Sequence, residues 1–233
     1  MEHASKMPAH RQQNKSRIAG LMLAGGRGAR LGGIDKGLLD YAGLGLAEHV
    51  ARRVAPQVGS LSISCNRNHQ PYNALAEKYR ANTTGPSLPL LVEDTALPQF
   101  SGPLAGLFSM LEVIRQSNLQ ARSNAIEWLF VCCCDNPRLP LNTVERLLHS
   151  LHHNEFNAAY PLVGRDHMRL CLLLEVNVAL KTMQHWKDNS GHDYSVKNWL
   201  LSMSALAVPF PDSEMAINVN RKADLSALQN HSS

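Results

Sequence analysis

A glycine-rich loop flanked by cations is the segment of this sequence best suited to chemistry. Residues 25–33 contain five glycines in nine positions, directly after the apolar run 18–23. Glycines permit positive φ angles and turn successive N–H groups toward one point, which makes a concavity for anions. Three cations, Arg27, Arg30 and Lys36, lie beside those amides. The loop therefore predicts a site for a polyanion such as a triphosphate.

Two well-known phosphate loops do not fit this segment. A P-loop requires a Gly-Lys step followed by a hydroxyl residue, but Lys36 lies between Asp35 and Gly37. A dinucleotide-binding GxGxxG motif requires a third glycine at position 31, where the chain has Leu31. The loop therefore predicts a phosphate site of another class, in which Asp35 is the one acidic residue that opposes the cations.

Asp135 is the second chemically informative residue, because it directly follows the apolar run 128–134. Open α/β folds bind ligands at the carboxyl ends of parallel strands, and a carboxylate there is a candidate ligand for Mg²⁺. The alternative is that Asp135 caps a helix beginning near Pro140. Asn218 and Asn220 alternate on a short extended stretch and are candidate magnesium or ribose partners, with a simple turn as the alternative.

Strand-like and helix-like patterns alternate along the chain and indicate how these residues are positioned. The predicted strands cover 18–23, 61–65, 90–93, 128–134, 157–160, 170–175 and 205–208, with a possible edge element at 216–220. The predicted helices cover 46–54, 106–114, 140–151, 176–186, 193–201 and 223–228. This alternation predicts an α/β fold: a single-domain, Rossmann-like, doubly wound and mostly parallel sheet with helices on both faces.

The distribution of charge excludes several classes of function. The 233 residues carry a net charge of +4, yet residues 1–17 alone hold four basic residues and one acidic residue. The remaining body is nearly neutral, aromatic residues make up 6%, and no basic stripe occurs, so a nucleic-acid-binding protein is not expected. No apolar run approaches the roughly 20 residues of a membrane span. We predict a disordered leader at 1–17, one domain at 18–228 and a disordered tail at 229–233.

The five cysteines predict a reducing, cytoplasmic location. Their number is odd, three of them are adjacent at 132–134, and the leader lacks the apolar segment of an export signal. Adjacent residues of a strand point to opposite faces, so the three cannot converge on one metal ion and are predicted to be core thiols.

Several motifs in order resemble those of the molybdenum cofactor guanylyltransferases, members of a nucleotidyltransferase superfamily with a Rossmann-like sheet. Residues 23–39 are similar to the family pattern LAGGxGxRxGGxDKxLL. The resemblance continues through Asn66-Arg67, Glu93-Asp94, Gly102-Pro103-Leu104-Ala105-Gly106, Cys134-Asp135-Asn136-Pro137 and Asn218-Val219-Asn220. The chain departs from the family pattern at Leu31, at Ser64 beside the expected guanine site, and at Met168, where a proline is expected.

The resemblance implies a role for each matching residue. The implied catalytic residues are Arg30, Lys36 and Asp135, with Asp135 as the ligand of Mg²⁺. The implied nucleotide-binding residues are Leu23, Ala24, Gly25, Gly26, Lys36, Ser64, Asn66, Asp94 and Asp135. The implied pterin-binding residues are Gly102, Pro103, Arg165, His167, Asn218 and Asn220. Asp94 also fits an ordinary turn, and 102–106 also fits an ordinary helix start.

The activity implied by the resemblance is transfer of GMP from GTP to molybdenum-bound molybdopterin, which forms the guanine dinucleotide cofactor and pyrophosphate. The expected partners are GTP, molybdopterin, molybdoenzymes and other cofactor-biosynthesis proteins, with neither nucleic acid nor membrane. Three alternatives stay open: a cytidylyltransferase acting on the same pterin, a sugar-phosphate nucleotidyltransferase, and a non-catalytic GTP-binding protein that delivers cofactor. A cytidylyltransferase typically has LAAG where this chain has Leu-Ala-Gly-Gly at 23–26.

Overall fold

A mostly parallel sheet forms the centre of the fold in the computed structural model, which describes residues 15–25, 34–80, 86–93, 102–121, 125–152, 155–188, 195–211, 215, 219 and 224. The strands of this sheet are β1 (Ile18–Leu23), β4 (Ser60–Ser64), β5 (Leu91–Val92), β6 (Trp128–Cys133), β7 (Ala158–Val163), β8 (Asp166–His167), β9 (Leu172–Glu175) and β10 (Ala205–Phe210). Two further strands, β2 (Asp40–Tyr41) and β3 (Leu44–Gly45), form a separate small hairpin.

The strands of the main sheet lie in the order β10-β7-β9-β6-β1-β4-β5, with β8 paired to β7. β1 lies parallel to both β4 and β6. The chain therefore extends from β1 to β4 and β5 on one side and crosses to β6 on the other. The crevice between β1 and β6 is thus a topological switch point, where open α/β sheets bind ligands.

Helices cover both faces of the sheet, as the sequence predicts. Within the described residues they are α1 (Leu46–Val54), α2 (His69–Arg80), α3 (Pro103–Gln120), α4 (Thr143–His152), α5 (Val176–Asp188) and α6 (Val196–Ser202), together with 3-10 turns at Lys36–Leu38 and Ala55–Gln57. Side chains of β1 alternate between two buried clusters. Ile18 and Met22 pack in the cluster that α1, α2 and α4 cover, whereas Ala19 and Leu21 pack in the cluster that α3, α5 and α6 cover.

The structure adds details and elements to the predicted, mostly parallel sheet. The segment 69–80 is a helix that the sequence analysis did not predict, and its buried residues Tyr72, Leu75, Ala76 and Tyr79 have helical spacing. β9 lies antiparallel to both β6 and β7, so the sheet is mixed although mostly parallel. The hairpin of β2 and β3 and the short strand β8 are further additions.

The ends of the chain are described only in part. Arg17 forms an ion pair with Glu127 at 2.6 Å, so the last residue of the predicted leader contacts the fold. Residues 1–14, most of 216–228 and the tail lie outside the described residues, and the domain limits stay a prediction. No helix in the described part of the chain is long and apolar enough to span a bilayer.

Candidate active site

The ends of three neighbouring strands bring the predicted nucleotide-binding residues to one edge of the sheet. The Ala24 N–H donates to the Ser64 carbonyl at 2.8 Å, which joins the start of the glycine loop to the end of β4. The Cys134 N–H donates to the Leu23 carbonyl at 3.2 Å, which joins β1 to the turn after β6. Ser64 is buried and Asn66 is exposed just beyond it. Ser64, Ala24 and Asp135 therefore share the carboxyl edge of the sheet.

Lys36 and Asp135 form the central contact at this edge. The Lys36 Nζ donates to Asp135 Oδ2 at 3.0 Å, although 99 residues separate them in sequence. The side chains are 24% and 17% exposed, so both are accessible to a ligand yet partly shielded from water. Asp135 is thus not the helix cap considered as the alternative, because its carboxylate faces Lys36. The arrangement places one cation and one candidate metal-binding carboxylate at the switch point of the sheet.

Asp35 holds the turn that carries Lys36, a role that the sequence analysis missed. Asp35 is 7% exposed, and its carboxylate is hydrogen-bonded within the fold. Its Oδ1 accepts hydrogen bonds from the Gly37 N–H at 3.1 Å and from the Tyr72 hydroxyl at 2.5 Å, and its Oδ2 accepts one from Asn68 Nδ2 at 2.8 Å. Arg67 Nε lies 3.7 Å from Oδ2. The carboxylate therefore anchors the turn beneath Lys36 to the start of α2.

Glycine at position 37 is required by this packing. A Cβ there would clash with the Tyr72 hydroxyl and would lie 3.2 Å from the Ala47 Cβ. Burial, followed by neighbouring acidic groups, raises the pKa of Tyr72, so its hydroxyl keeps its proton at neutral pH and donates to Asp35. The Asp35 anchor and Gly37 together fix the backbone position from which Lys36 reaches Asp135.

Tyr72→Phe should lower the free energy of unfolding by about 1.5–3 kcal/mol, because it removes a buried hydrogen bond to a charged acceptor. The measurement is urea-induced unfolding. The matched control is Tyr79→Phe on the same helix, whose hydroxyl donates at 3.2 Å to Glu48, a carboxylate that Lys78 also neutralises. The control should cost less than about 1 kcal/mol. Equal losses in the two variants would contradict the anchoring role of Tyr72.

A cavity of about 280 Å³ adjoins Asp135. It is lined by Cys132, Cys133, Asp135, Asn136, Leu139, His167, Met168, Arg169, Leu170 and Cys171. The Tyr160 hydroxyl and His167 Nδ1 are hydrogen-bonded at 3.0 Å, which fixes the imidazole on the cavity wall. The cavity thus joins the candidate metal ligand to one predicted pterin residue, His167.

Three other predicted pterin residues that the structure describes do not line this cavity. Gly102 has a φ of 66° and directly precedes α3, and Pro103 is the first residue of that helix. Pro103 occupies the position at which a helix tolerates proline. Gly102 and Pro103 therefore also have a purely structural reason to be at the start of α3. Arg165 is exposed in the turn between β7 and β8. The cavity lining includes none of these three.

Five residues with predicted roles lie outside the described residues: Gly26, Arg30, Asp94, Asn218 and Asn220. Val219, between the two asparagines, is described and fully buried beside Tyr41 and Leu46. Its N–H donates to the Asp135 carbonyl at 2.9 Å. Residue 219 therefore lies within one hydrogen bond of the candidate metal ligand.

The cysteines of the cavity are not suited to act as nucleophiles. All five cysteines are free thiols, four of them buried. Burial raises the pKa of Cys132, Cys133 and Cys171, and Asp135 raises the first two further. They stay protonated at neutral pH, whereas the reactive form is the thiolate. The cysteines therefore serve as part of the cavity wall and the core.

The donor set fits a magnesium ion held by one carboxylate. Asp135 Oδ2 accepts the hydrogen bond from Lys36, while Oδ1 accepts none from the described residues. In the described part of the chain, no three His, Cys, Asp or Glu side chains form a metal-binding group. This fits Mg²⁺, which commonly takes one or two protein carboxylates together with water and substrate phosphates.

The profile of the MobA-like NTP transferase domain matches residues 20–203 of this chain. The chain belongs to this family. A molybdenum cofactor guanylyltransferase from Pseudomonas paraeruginosa is 34% identical over 206 residues, which cover 88% of each chain. The chain is therefore a MobA-like nucleotidyltransferase, and the resemblance drawn from the motifs is confirmed at the level of the family.

Solved structures share the fold of this MobA-like chain. Molybdopterin-guanine dinucleotide biosynthesis protein A from Archaeoglobus fulgidus aligns with a TM-score of 0.61 at 17% identity, covering 92% of this chain and 98% of that one. The 4-diphosphocytidyl-2C-methyl-D-erythritol synthase from Anaerococcus prevotii aligns with a TM-score of 0.67 at 10% identity, covering 96% and 99%. At these identities the likeness establishes the nucleotidyltransferase fold, and the substrate has to be argued from the site.

Proposed function

We propose that this MobA-like nucleotidyltransferase transfers GMP from GTP to molybdenum-bound molybdopterin, forming the guanine dinucleotide cofactor and pyrophosphate. The observation that carries the proposal is the contact of Lys36 Nζ with Asp135 Oδ2 at 3.0 Å, at the switch point and beside a cavity of about 280 Å³. The curated relatives named as molybdenum cofactor guanylyltransferases support the choice of substrates.

The reaction needs no covalent nucleophile from the protein. A terminal phosphate oxygen of molybdopterin forms a bond to the α-phosphorus of GTP, and the bond from that phosphorus to the oxygen bridging to the β-phosphorus breaks. The electron pair leaves with pyrophosphate. Catalysis then consists of alignment and charge stabilisation. Lys36, Arg30 and the amides of the glycine loop hold the triphosphate and stabilise the charge that develops on the leaving group.

Asp135 would hold Mg²⁺, which would supply positive charge that neutralises phosphate oxygens. The Asp35 anchor keeps Lys36 on the same side of the crevice, so the cation approaches the triphosphate without first reorganising. We assign four residues to the pterin substrate. They are His167 on the cavity wall and Arg165, Asn218 and Asn220, which are close in sequence to described parts of the site. Leu23, Ala24, Gly25, Ser64, Asn66 and Asp94 are assigned to the nucleotide.

The free cysteines support a reducing compartment such as the cytoplasm as the place of action. Molybdoenzymes and other proteins of cofactor synthesis are the proposed protein partners, since the product has to be handed on to an enzyme that uses it.

The test is a nucleotide competition. We expect incubation with molybdenum-loaded molybdopterin and Mg²⁺ to release pyrophosphate from GTP in preference to CTP or ATP, measured by a coupled pyrophosphate assay with each nucleotide alone and in pairs. A preference for CTP would replace the proposal by a cytidylyltransferase. Tight binding of GTP without pyrophosphate release would instead indicate a delivery protein.

A further inference from the structure

Asn136 has a buried carboxamide without a hydrogen-bond partner in the described part of the chain. The residue is 5% exposed, and neither Nδ2 nor Oδ1 is hydrogen-bonded. Leaving such a group unpaired typically costs about 1–3 kcal/mol. Native folds keep few unpaired groups of this kind, and each of them calls for an explanation. A ligand that completes the missing hydrogen bonds would account for this one.

The position of Asn136 shows where such a ligand would bind. Asn136 directly follows Asp135 and lines the same cavity of about 280 Å³. Most of the remaining wall is sulfur and hydrocarbon, from Cys132, Cys133, Leu139, Met168, Leu170 and Cys171. A mostly apolar cavity with a few placed polar groups is typical of a site for a small organic molecule.

We propose that the Asn136 carboxamide binds the polar edge of the pterin ring, donating from Nδ2 to a ring carbonyl and accepting at Oδ1 from a neighbouring ring N–H. This inference rests on the proposed function and names the residue that selects its acceptor substrate. A carboxamide offers a donor and an acceptor side by side. The edge of a pterin offers the complementary pair, so one ligand satisfies both atoms.

Phosphates, cations and apolar ligands satisfy at most one of the two polar atoms of this carboxamide. Guanine presents the same ring carbonyl and ring N–H as a pterin, so an equal loss of GTP affinity in the Asn136 variants would overturn the inference. The ester and charged oxygens of a phosphate can only accept hydrogen bonds. A phosphate would therefore leave Oδ1 unpaired. A metal cation would bind Oδ1 and leave Nδ2 unpaired. A purely apolar ligand would leave both Oδ1 and Nδ2 unpaired. The combination of two unpaired atoms with sulfur-rich walls therefore favours a flat heterocycle with a mixed polar edge.

The test is direct binding of 6-hydroxymethylpterin, which is fluorescent and lacks the phosphate. We expect Asn136→Leu to weaken binding at least about 10-fold, since a net hydrogen bond of about 1.4 kcal/mol corresponds to a factor of ten. GTP affinity should stay within about two-fold of wild type. The melting temperature of Asn136→Leu should not fall, because the change removes an unpaired buried polar group. Asn136→Ser, which is smaller, serves as the second variant and should weaken pterin binding in the same direction.

The matched control is Thr143→Val. Thr143 is fully buried, but its Oγ1 already donates to the Pro140 carbonyl at 2.9 Å, so this change should lower stability and leave pterin binding unaltered. The inference is overturned if wild type does not bind the pterin, if both Asn136 variants bind it normally, or if both variants fail to fold. The binding titration requires no turnover. If pterin binding depends on Asn136 but no pyrophosphate is released from GTP, the proposed function is refuted and the inference about Asn136 is not.

Discussion

Asp135→Asn should lower kcat/KM for pyrophosphate release about 10²- to 10³-fold, the loss expected when one preorganised charge contact with the reacting phosphates is removed. The amide keeps the size of the carboxylate but loses the negative charge that would hold Mg²⁺. The fold should survive, because the Lys36–Asp135 pair is partly exposed and such pairs contribute at most about 1 kcal/mol. The measurement is pyrophosphate release at saturating Mg²⁺, with thermal unfolding of the same preparation.

The matched control for this variant is Asp188→Asn. Asp188 is a surface carboxylate at the end of α5 that accepts hydrogen bonds from Gln184 on its own helix. Its replacement removes the same charge from the protein but leaves the site intact, so turnover should stay within two-fold of wild type. Near-wild-type turnover in Asp135→Asn itself would contradict the assignment of Asp135 to the metal.

Lys36→Met should also lower kcat/KM about 10²- to 10³-fold, because the cation that faces the triphosphate is lost. Much of the loss should appear in kcat, since charge on the leaving pyrophosphate is greatest in the transition state. The unbranched methionine keeps the apolar stem of the lysine, so the Asp35 anchor should be unaffected. Steady-state kinetics at varied GTP separate the effect on kcat from the effect on KM.

The double variant Lys36→Met with Asp135→Asn provides an internal check. Residues in contact that act on the same phosphates give non-additive effects, so the double variant should lose far less than the product of the two single losses. Lys78→Met is the matched control, because Lys78 also pairs with a carboxylate, Glu48, but does so on the exposed face of α2. Strict multiplication of the two losses would show that Lys36 and Asp135 act independently.

The central part of the fold can be predicted from the sequence, because β1 and β6 are apolar runs, β4 alternates serine with leucine and isoleucine, and turn residues bound all three strands. The direction of β9 cannot be predicted in the same way. Its apolar residues 172–174 would suit a parallel or an antiparallel neighbour equally well, since both directions bury the same side chains. The helix α2 was missed because Pro71 and the polar residues around it resemble a loop, although proline is tolerated in the first turn of a helix.

The candidate site shows the same limit at the level of single residues. Asp135 and Lys36 are predictable because each has a motif and follows a strand or a glycine loop. Asp35 is not, since its burial depends on Tyr72 from the missed helix, and in sequence it is only an acidic neighbour of Lys36. Asn136 is part of a matched motif, but its lack of partners is a property of three-dimensional packing that no spacing rule expresses.

The hydrogen bond from Val219 to Asp135 links the candidate site to a segment beyond the last described strand of the sheet. Every strand of the main sheet in the described residues is present once the chain has reached Phe210 at the end of β10. The donor that holds the backbone of the candidate metal ligand is added only nine residues later, beyond the family match at residue 203. A chain that ended at Phe210 would keep every described strand of the main sheet but would lack the donor to the backbone of the candidate metal ligand.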